Sequence, residues 1–176
     1  KKFQGKAYRP ELELVHIDAM YEIPEQKKNT ATLYADFVRK NGQHELAPQA
    51  QYMAALAALD NQEYAASAQH CTKFLADYSG DKLKADVLFI SAESQLLLGR
   101  HDNAEQRYRE FLQLAPTHDN AQQAQVRRGV ALYMADQHAD AVAWLQPLVS
   151  QFADNDLKSE ALSLVGRSQL AQKNIA

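Results

Sequence analysis

Apolar residues recur along the chain at the three- and four-residue spacing of amphipathic helices. Tyr52, Ala55, Leu56 and Leu59 lie on one helical face, and a polar pair at 61–62 then interrupts the pattern. A second stripe follows directly and consists of Tyr64, Ala68, Cys71, Phe74 and Leu75. This pattern predicts two helices joined by a short turn.

The same pair of stripes returns every 37 residues. Phe37, Phe74 and Phe111 are separated by this step, which next reaches Leu148. Small residues recur in the first stripe of successive pairs, at Ala55, Ala92, Gly129 and Gly166. Because a residue class kept over successive steps indicates a structural repeat, we divide the chain into repeats at 11–47, 48–84, 85–121 and 122–158, and a final half repeat at 159–176.

The repeats predict an all-α protein, a right-handed superhelical solenoid of antiparallel helix hairpins with at least eight helices and no sheet. Gly99 is suited to end the first helix of the third repeat, since glycine adopts positive φ without steric cost. Asp102 or Asn103 is expected to cap the next helix, and Pro116 to end it. No linker or low-complexity run divides the chain, so we expect one domain over residues 1–176.

These features resemble the tetratricopeptide repeat family over roughly residues 11–176. The family carries a small residue in its first helix, a turn glycine followed by an aromatic residue, an early alanine in its second helix and a proline after it. The third repeat matches this pattern at Ala92, Gly99, His101, Ala104, Tyr108 and Pro116, and the fourth matches at Gly129, Tyr133, His138 and Ala141. The resemblance implies a scaffold for protein–protein interaction.

The chain departs from the family pattern in two respects. The tryptophan of the first helix is replaced by Gln51, Leu88, Gln125 and Leu162, and the 37-residue step exceeds the usual 34. The repeat endings Asp77-Tyr78-Ser79 and Leu114-Ala115-Pro116, each followed by an Ala-containing helix, look like those of bacterial envelope proteins of the BamD and YbgF type. This likeness implies a bacterial periplasm or cell envelope, with the cytoplasm as the alternative.

Composition excludes several classes of protein. The 46% hydrophobic and 23% charged residues are typical of a folded soluble chain, and no run of 18 apolar residues predicts a membrane span. A formal net charge of −3 argues against general nucleic-acid binding. The single cysteine excludes an internal disulfide and a cysteine-based zinc site.

Candidate catalytic and metal-binding residues do not form a recognisable constellation. His70 and Cys71 are adjacent, so on a helix their side chains point about 100° apart and cannot act as a base and its nucleophile. Asp136, His138 and Asp140 could ligate a metal, but they straddle a turn and a helix start, where aspartate serves as a cap. We therefore expect no enzyme activity, no cofactor and no metal.

The first helix of each repeat is expected to line the concave side of the solenoid. The resemblance places partner-facing side chains at Tyr52, Leu56, Phe89, Glu93, Leu97, Val126, Val130, Met134 and Arg167. About half of such positions should be core, and the apolar remainder favours a protein or peptide segment as partner. Some family members clamp a carboxylate with Lys and Asn, but neither residue type occurs at the corresponding positions, which are Tyr52, Leu56, Phe89, Glu93, Val126 and Val130.

Two functions are compatible with this pattern. In the first, the chain is an adaptor whose concave groove receives a segment of another envelope protein. In the second, it is a structural module whose ends stack on further copies, forming a homo-oligomer.

The sequence also permits interpretations of the two ends of the chain. The basic run at 1–6 is typical of a trimmed product with a solvated tail, or of a juxtamembrane stub. Residues 159–176 predict either half of a fifth repeat in a longer array or a polar cap, with Leu162, Leu164, Val165 and Leu170 facing inward.

Two prolines are expected to disturb their helices. Pro24 should end the first helix early, with a longer polar turn at 25–29. Pro147 should bend the second helix of the fourth repeat, either only shaping the end of the solenoid or opening a pocket beside Trp144.

Overall fold

The amphipathic stripes form α-helices in the computed structural model, which describes residues 9–153 and 155–175. The basic tail at 1–6 and Ala176 lie outside the described residues. The ten α-helices of the described part are α1 (Arg9–Tyr21), α2 (Pro24–Lys27), α3 (Thr30–Asn41), α4 (Ala47–Asp60), α5 (Tyr64–Asp77), α6 (Lys84–Leu97), α7 (His101–Leu114), α8 (Ala121–Met134), α9 (His138–Leu145) and α10 (Asn155–Ile175). A turn of 3-10 helix at Val149–Gln151 completes them, and no strand occurs in this part, so the all-α prediction is confirmed.

The helices divide between two compact units. The N-terminal unit is Lys1–Ser94 and the C-terminal unit is Gln95–Ala176, so the division falls inside α6. One continuous solenoid domain over 1–176 stays a prediction.

The 37-residue step governs where the helices begin. The first helices of repeats 2, 3 and 4, here called helix A (α4, α6 and α8), begin at Ala47, Lys84 and Ala121. Their second helices, here called helix B (α5, α7 and α9), begin at Tyr64, His101 and His138 with the same spacing. In the first repeat α1 and α3 take these roles, and in the last repeat α10 is helix A.

A left-handed residue ends helix A in three successive repeats. Gln62, Gly99 and Asp136, each 37 residues apart, have φ of 63°, 71° and 58°. In the second repeat the N–H of Gln62 donates to the Leu59 carbonyl at 2.9 Å, and the N–H of Glu63 donates to the Ala58 carbonyl at 2.8 Å. Repeats 3 and 4 form the same pair of bonds, so one turn geometry reverses the chain each time.

The predicted phenylalanine positions are core. Phe37, Phe74 and Phe111 are each 0% exposed. In the N-terminal unit, Phe37 belongs to a cluster with Leu14 and Ile17 of α1. Phe74 packs with Cys71 of α5, Ala55 of α4 and Val87 of α6, so the core joins helix B of one repeat to helix A of the next.

Helix starts differ from the sequence-based expectation. Arg100 occupies the N-cap of α7 and makes no side-chain capping bond, so the predicted caps Asp102 and Asn103 instead lie in the first turn. Asp102 accepts a hydrogen bond from Gln137 at 2.8 Å. The reason is that the left-handed turn at Gly99 returns the chain to helix within two residues, leaving no extended residue for a cap.

Pro24 and Pro147 lie at helix boundaries and bend no helix. Helix α1 ends at Tyr21, and Pro24 begins the one-turn helix α2, where its fixed φ and missing N–H are compatible with the first helical turn. Helix α9 ends at Leu145, so Pro147 lies beyond the helix that it was expected to bend.

The last helix shows a different inward face from the one expected. Helix α10 packs against α8 and α9 through Ala161, Leu164 and Val165, which are buried. Leu162 and Leu170, predicted to face inward, are 52% and 62% exposed, whereas Ser168 is buried. Helix α10 begins at Asn155, before the expected position 159.

Among the described residues, no helix is long and apolar enough to cross a membrane.

Candidate protein-interaction surface

The predicted partner-facing residues lie in three registers of helix A, which we call the helix A columns. Column 1 is Tyr52, Phe89, Val126 and Ser163; column 2 is Leu56, Glu93, Val130 and Arg167; column 3 is Asp60, Leu97, Met134 and Ala171. Within each helix the three positions are four residues apart, so they share one face. The sequence-based list contains all of them except Asp60, Ser163 and Ala171.

In the N-terminal unit the columns border the core. Tyr52 and Leu56 are half-buried and pack against the cluster that holds Phe74 and Val87. Burial raises the pKa of the Tyr52 hydroxyl, and the nearby carboxylates of Asp86 and Asp60 raise it further. Phe89 and Glu93 on α6 are also half-buried. This part of the surface is therefore aromatic and acidic, and its apolar atoms are only partly available to a partner.

Asp60, at the end of α4, forms an ion pair and a hydrogen bond with residues of the first repeat. Its Oδ2 lies 2.7 Å from Lys27 Nζ and accepts a hydrogen bond from the Tyr21 hydroxyl at 2.5 Å. Lys27 Nζ also lies 4.3 Å from the centre of the Tyr21 ring. Burial, and then the bond to Asp60, raise the pKa of Tyr21. Sequence reasoning missed Tyr21 and Lys27, because their approach to Asp60 spans 33 residues or more and follows no helical spacing.

In the C-terminal unit the columns separate into core and surface. Val126 is 1% exposed and packs with Leu145 and Phe152, so its assignment to the partner-facing surface is corrected to core. Val130 is half-buried against the same cluster. Leu97 and Met134, which occupy the same register, are 52% and 51% exposed, and Arg167 is exposed as well.

Trp144 is held against helix A of its own repeat. Its Nε1 donates to the Gln125 carbonyl at 2.9 Å, and the Arg128 guanidinium covers the ring at 4.0 Å from its centre. Glu105 accepts from Arg128 Nε at 2.8 Å and lies 2.7 Å from Arg128 Nη2. Arg128 therefore occupies the space beside Trp144, where a pocket was one of the two alternatives.

The buried amide of Gln51 lies where the tetratricopeptide pattern described above has a tryptophan. Gln51 is 1% exposed, and its Nε2 donates to the His70 carbonyl at 3.0 Å and lies 3.1 Å from His70 Nδ1. Burial lowers the pKa of His70, with the Lys73 charge adding to the effect. The amide thus has two polar partners on α5, and Nδ1 can accept from it only when the imidazole is neutral.

Candidate catalytic and metal-binding groups are arranged as structural groups. Cys71 is 0% exposed, and His138 packs on the Tyr133 ring with its Nε2 at 3.7 Å from Asp136 Oδ1. Within residues 9–153 and 155–175, no three His, Cys, Asp or Glu side chains converge as metal ligands.

Hairpins repeated at a fixed step with a common turn define a helical-repeat fold, and comparisons with known proteins agree. Residues 86–118 match the family model described as tetratricopeptide repeat. This is the segment in which the sequence resemblance is fullest, and it includes Phe89, Glu93 and Leu97. The fold is generally a module for protein–protein interaction. A comparison with curated proteins gave no match.

Solved structures of similar fold cover almost the whole chain. A Podosopora anserina protein named as a kinesin light chain, with nearly identical TPR-like repeats, aligns at a TM-score of 0.73 and 13% identity over 94% of this chain and 89% of its own. A variant of that protein aligns at 0.74 and 13% over 94% and 88%. The MamA RS-1 ArsTM double mutant aligns at 0.67 and 12% over 94% and 97%. At these identities the likeness shows the fold alone.

Proposed function

We propose that the chain is a non-catalytic scaffold that binds a segment of a partner protein on its helix A columns. The observation that carries this proposal is the pair Leu97 and Met134. Each is a large apolar side chain, half exposed, at the same register of successive helices A. Single exposed apolar residues are common on protein surfaces, but recurrence at one register of a repeat supports a shared contact surface.

The chemistry of the columns favours an amphipathic segment. Tyr52, Phe89 and Glu93 give the N-terminal unit an aromatic and acidic surface, which suits a segment with basic residues. The C-terminal unit has an apolar surface with a basic edge, formed by Val130, Met134 and Arg167. This surface suits a partner segment in which apolar residues are followed by an acidic one. Each unit therefore favours its own part of the partner.

The proposal is tested with peptides selected from a display library on the intact chain. Leu97→Glu combined with Met134→Glu should weaken binding of the selected peptides by at least tenfold, because a desolvated carboxylate would face their apolar residues. Leu114→Glu is the matched control, since Leu114 is 50% exposed on α7 and outside the columns. Equal weakening by the control would contradict the proposal. A charge at Phe89 is a poorer test, because that side chain is half-buried.

The second candidate function is self-assembly through the ends. It is favoured by Leu12 and Val15 of α1, which are 67% and 63% exposed on the first helix of the described chain. Light scattering over a dilution series separates the candidates, because a self-assembling chain loses mass on dilution. Leu12→Glu with Val15→Glu should abolish that dependence if α1 carries the contact.

The proposed compartment is the bacterial periplasm or cell envelope, with the cytoplasm as the alternative. The repeat endings that resemble BamD and YbgF type proteins support this assignment. Fractionation of cells that express the natural gene tests it, and recovery of the protein with a cytoplasmic marker would contradict it.

A further inference from the structure

The ammonium group of Lys27 is held between a carboxylate and an aromatic ring in the N-terminal unit. Its Nζ lies 2.7 Å from Asp60 Oδ2 and 4.3 Å from the centre of the Tyr21 ring. The Tyr21 hydroxyl donates to the same carboxylate oxygen, so the ring and the carboxylate are joined to each other as well. A carboxylate beside an aromatic face attracts an ammonium group through its charge and through the ring quadrupole. We call Tyr21 and Asp60 the cation site.

The cation site departs from the repeat pattern of the chain. Asp60 occupies the register at which Leu97 and Met134 are apolar. Lys27 belongs to the eight residues, 22–29, that join α1 to α3, whereas three residues join helix A to helix B in repeats 2 to 4. The hairpins of repeats 2 to 4 therefore form without these groups, and the cation site is an addition to the repeat rather than a part of its core.

The backbone around Lys27 is anchored independently of its side chain. Thr30 is 0% exposed, and its Oγ1 donates to the Lys27 carbonyl at 2.7 Å. Asn61 Nδ2 donates to the Lys28 carbonyl at 3.0 Å. Both bonds remain when the ammonium group leaves, and so does the bond between Tyr21 and Asp60. The site is therefore preformed for another cation.

The contact that retains Lys27 is weak enough to be exchanged. The side chains of Lys27 and Asp60 are 35% and 33% exposed. An ion pair exposed to this extent is screened by water and contributes little to stability. A second ammonium group that makes the same two contacts can therefore take the place of Lys27 at small cost.

Carboxylates surround the cation site. Besides burial and the bond to Asp60, the Glu22 carboxylate raises the pKa of the Tyr21 hydroxyl. Burial, and then Asp86 and Asp60, raise the pKa of Tyr52, which also lies near Tyr21. Tyr52 and Asp60 belong to the helix A columns, so the site borders the surface assigned to the partner. The negative potential there favours a basic residue of the partner.

We propose that the cation site binds a lysine side chain of the partner segment, and that Lys27 occupies the site until the partner displaces it. This inference rests on the proposed scaffold function, and it gives a basic residue of the partner its position on the N-terminal unit. Lys27 is then an internal competitor. The apparent affinity for the partner's lysine is reduced in proportion to the fraction of molecules in which the site is open.

The probe is a blocked lysine, N-acetyl-lysine N-methylamide, titrated into the intact, isotope-labelled 176-residue chain. NMR shifts of the Asp60 and Asn61 amides report its binding. Lys27→Ala should lower the apparent Kd of the probe by about tenfold, because the internal competitor is removed. Lys28→Ala is the matched control, since this neighbouring lysine is exposed and its side chain is not part of the cation site; the Kd should not change.

Further variants distinguish displacement at the cation site from loss of a structural ion pair. In the Lys27→Ala chain, Asp60→Asn and Tyr21→Leu should each weaken binding by about tenfold, because each removes one of the two contacts. N-acetyl-norleucine N-methylamide, which has an uncharged side chain, should not shift the two amides. Equal affinity of the Lys27→Ala and unchanged chains, or binding that survives Asp60→Asn, would overturn the proposal.

The outcome is independent of the contact proposed at Leu97 and Met134. The blocked lysine does not need those side chains, so Leu97→Glu with Met134→Glu should leave its titration unchanged. A failed titration would therefore overturn the cation site while the apolar contact stands, and selected peptides that ignore Leu97 and Met134 would contradict only the apolar contact.

Discussion

The guanidinium of Arg128 lies over the ring of Trp144, 4.0 Å from its centre, in the C-terminal unit. Both groups belong to the fourth repeat, and Glu105 of α7 binds the Nε and Nη2 atoms of the guanidinium at 2.7–2.8 Å. The side chains of Arg128 and Glu105 are only 16% and 14% exposed, so the ion pair is screened less than those at the surface. The stack joins helix B of the third repeat to both helices of the fourth.

Arg128→Lys should lower the free energy of unfolding by about 1–2 kcal/mol, because lysine keeps the charge but loses the paired donors and the planar stack. Urea denaturation measures the loss. A double-mutant cycle with Trp144→Leu should give a coupling of about 0.5–1 kcal/mol. Arg109→Lys is the control, because Arg109 is half exposed and pairs with Glu105 at 3.7 Å; an equal loss there would contradict the assignment.

Gln62→Gly should raise the free energy of unfolding by about 0.5–1 kcal/mol, because glycine removes the steric cost of φ 63°. Asp136→Gly should give a smaller gain, since aspartate tolerates this conformation better than glutamine. Thermal denaturation measures both changes. Ala135→Gly is the matched control with a φ of −87°, and it should destabilise the chain; stabilisation there would show that the gain does not come from φ.

Alanine at Gly129 and at Gly166 should change stability in opposite directions. Gly129→Ala should cost about 1–3 kcal/mol, because the added methyl group overlaps Leu145. Gly166→Ala should stabilise by up to about 1 kcal/mol, since the space is open and alanine is the better helix former. Chemical denaturation of the two variants under the same conditions makes the comparison, and two changes of the same sign would contradict the packing described for the fourth repeat.

Phe74→Ala should lower the free energy of unfolding by about 3–5 kcal/mol, because the ring is fully buried among Cys71, Val87 and Ile90. Its ring also meets that of Tyr78 edge-on at 5.6 Å. Phe74→Leu should cost less than the alanine variant. A loss below about 1 kcal/mol for Phe74→Ala, measured by urea denaturation, would contradict the burial of this register.

The chain should lose stability in mild acid through His70. Burial holds the pKa of this imidazole below the value near 6.5 of the unfolded chain, so below that pH the unfolded state takes up a proton that the folded state resists. The contribution is complete above about pH 6.5 and is lost as pH falls towards the folded pKa. The measurement is the pH dependence of unfolding in the unchanged chain minus that in His70→Gln; a difference of zero, or one of opposite sign, would contradict it.

Spacing along the chain was enough to predict the hairpins and their core. Phe37, Phe74 and Phe111 follow from one repeated step, because a helix of fixed length and a turn of fixed geometry return each residue type to the same environment. The turn at Gly99, just after α6, was predicted from the residue type, because glycine fits a positive φ. The identical turns at Gln62 and Asp136 were not predicted, because neither residue type requires that conformation.

Which face of a helix is buried was harder to predict where both faces are apolar. Helix α10 carries leucines all round, and contact with α8 and α9 selects Leu164 over Leu162 and Leu170. Val126 was placed on the partner-facing surface by its register, yet Leu145 and Phe152 cover it. The register of a residue predicts the direction in which its side chain leaves the helix. The burial of that side chain depends on which neighbouring residues pack over it.

The burial of Cys71 determines how the protein responds to oxidants. The chain's single thiol is fully buried between α4, α5 and α6, beside Phe74 and Ala55. Oxidation needs a thiolate that an oxidant can reach, so the folded protein is protected. Only molecules in which this core has opened expose the sulfur, and a sulfenic or sulfinic acid formed there no longer fits among apolar neighbours. Oxidation of Cys71 would therefore occur only in molecules whose core has opened transiently, and it would keep that core from closing again.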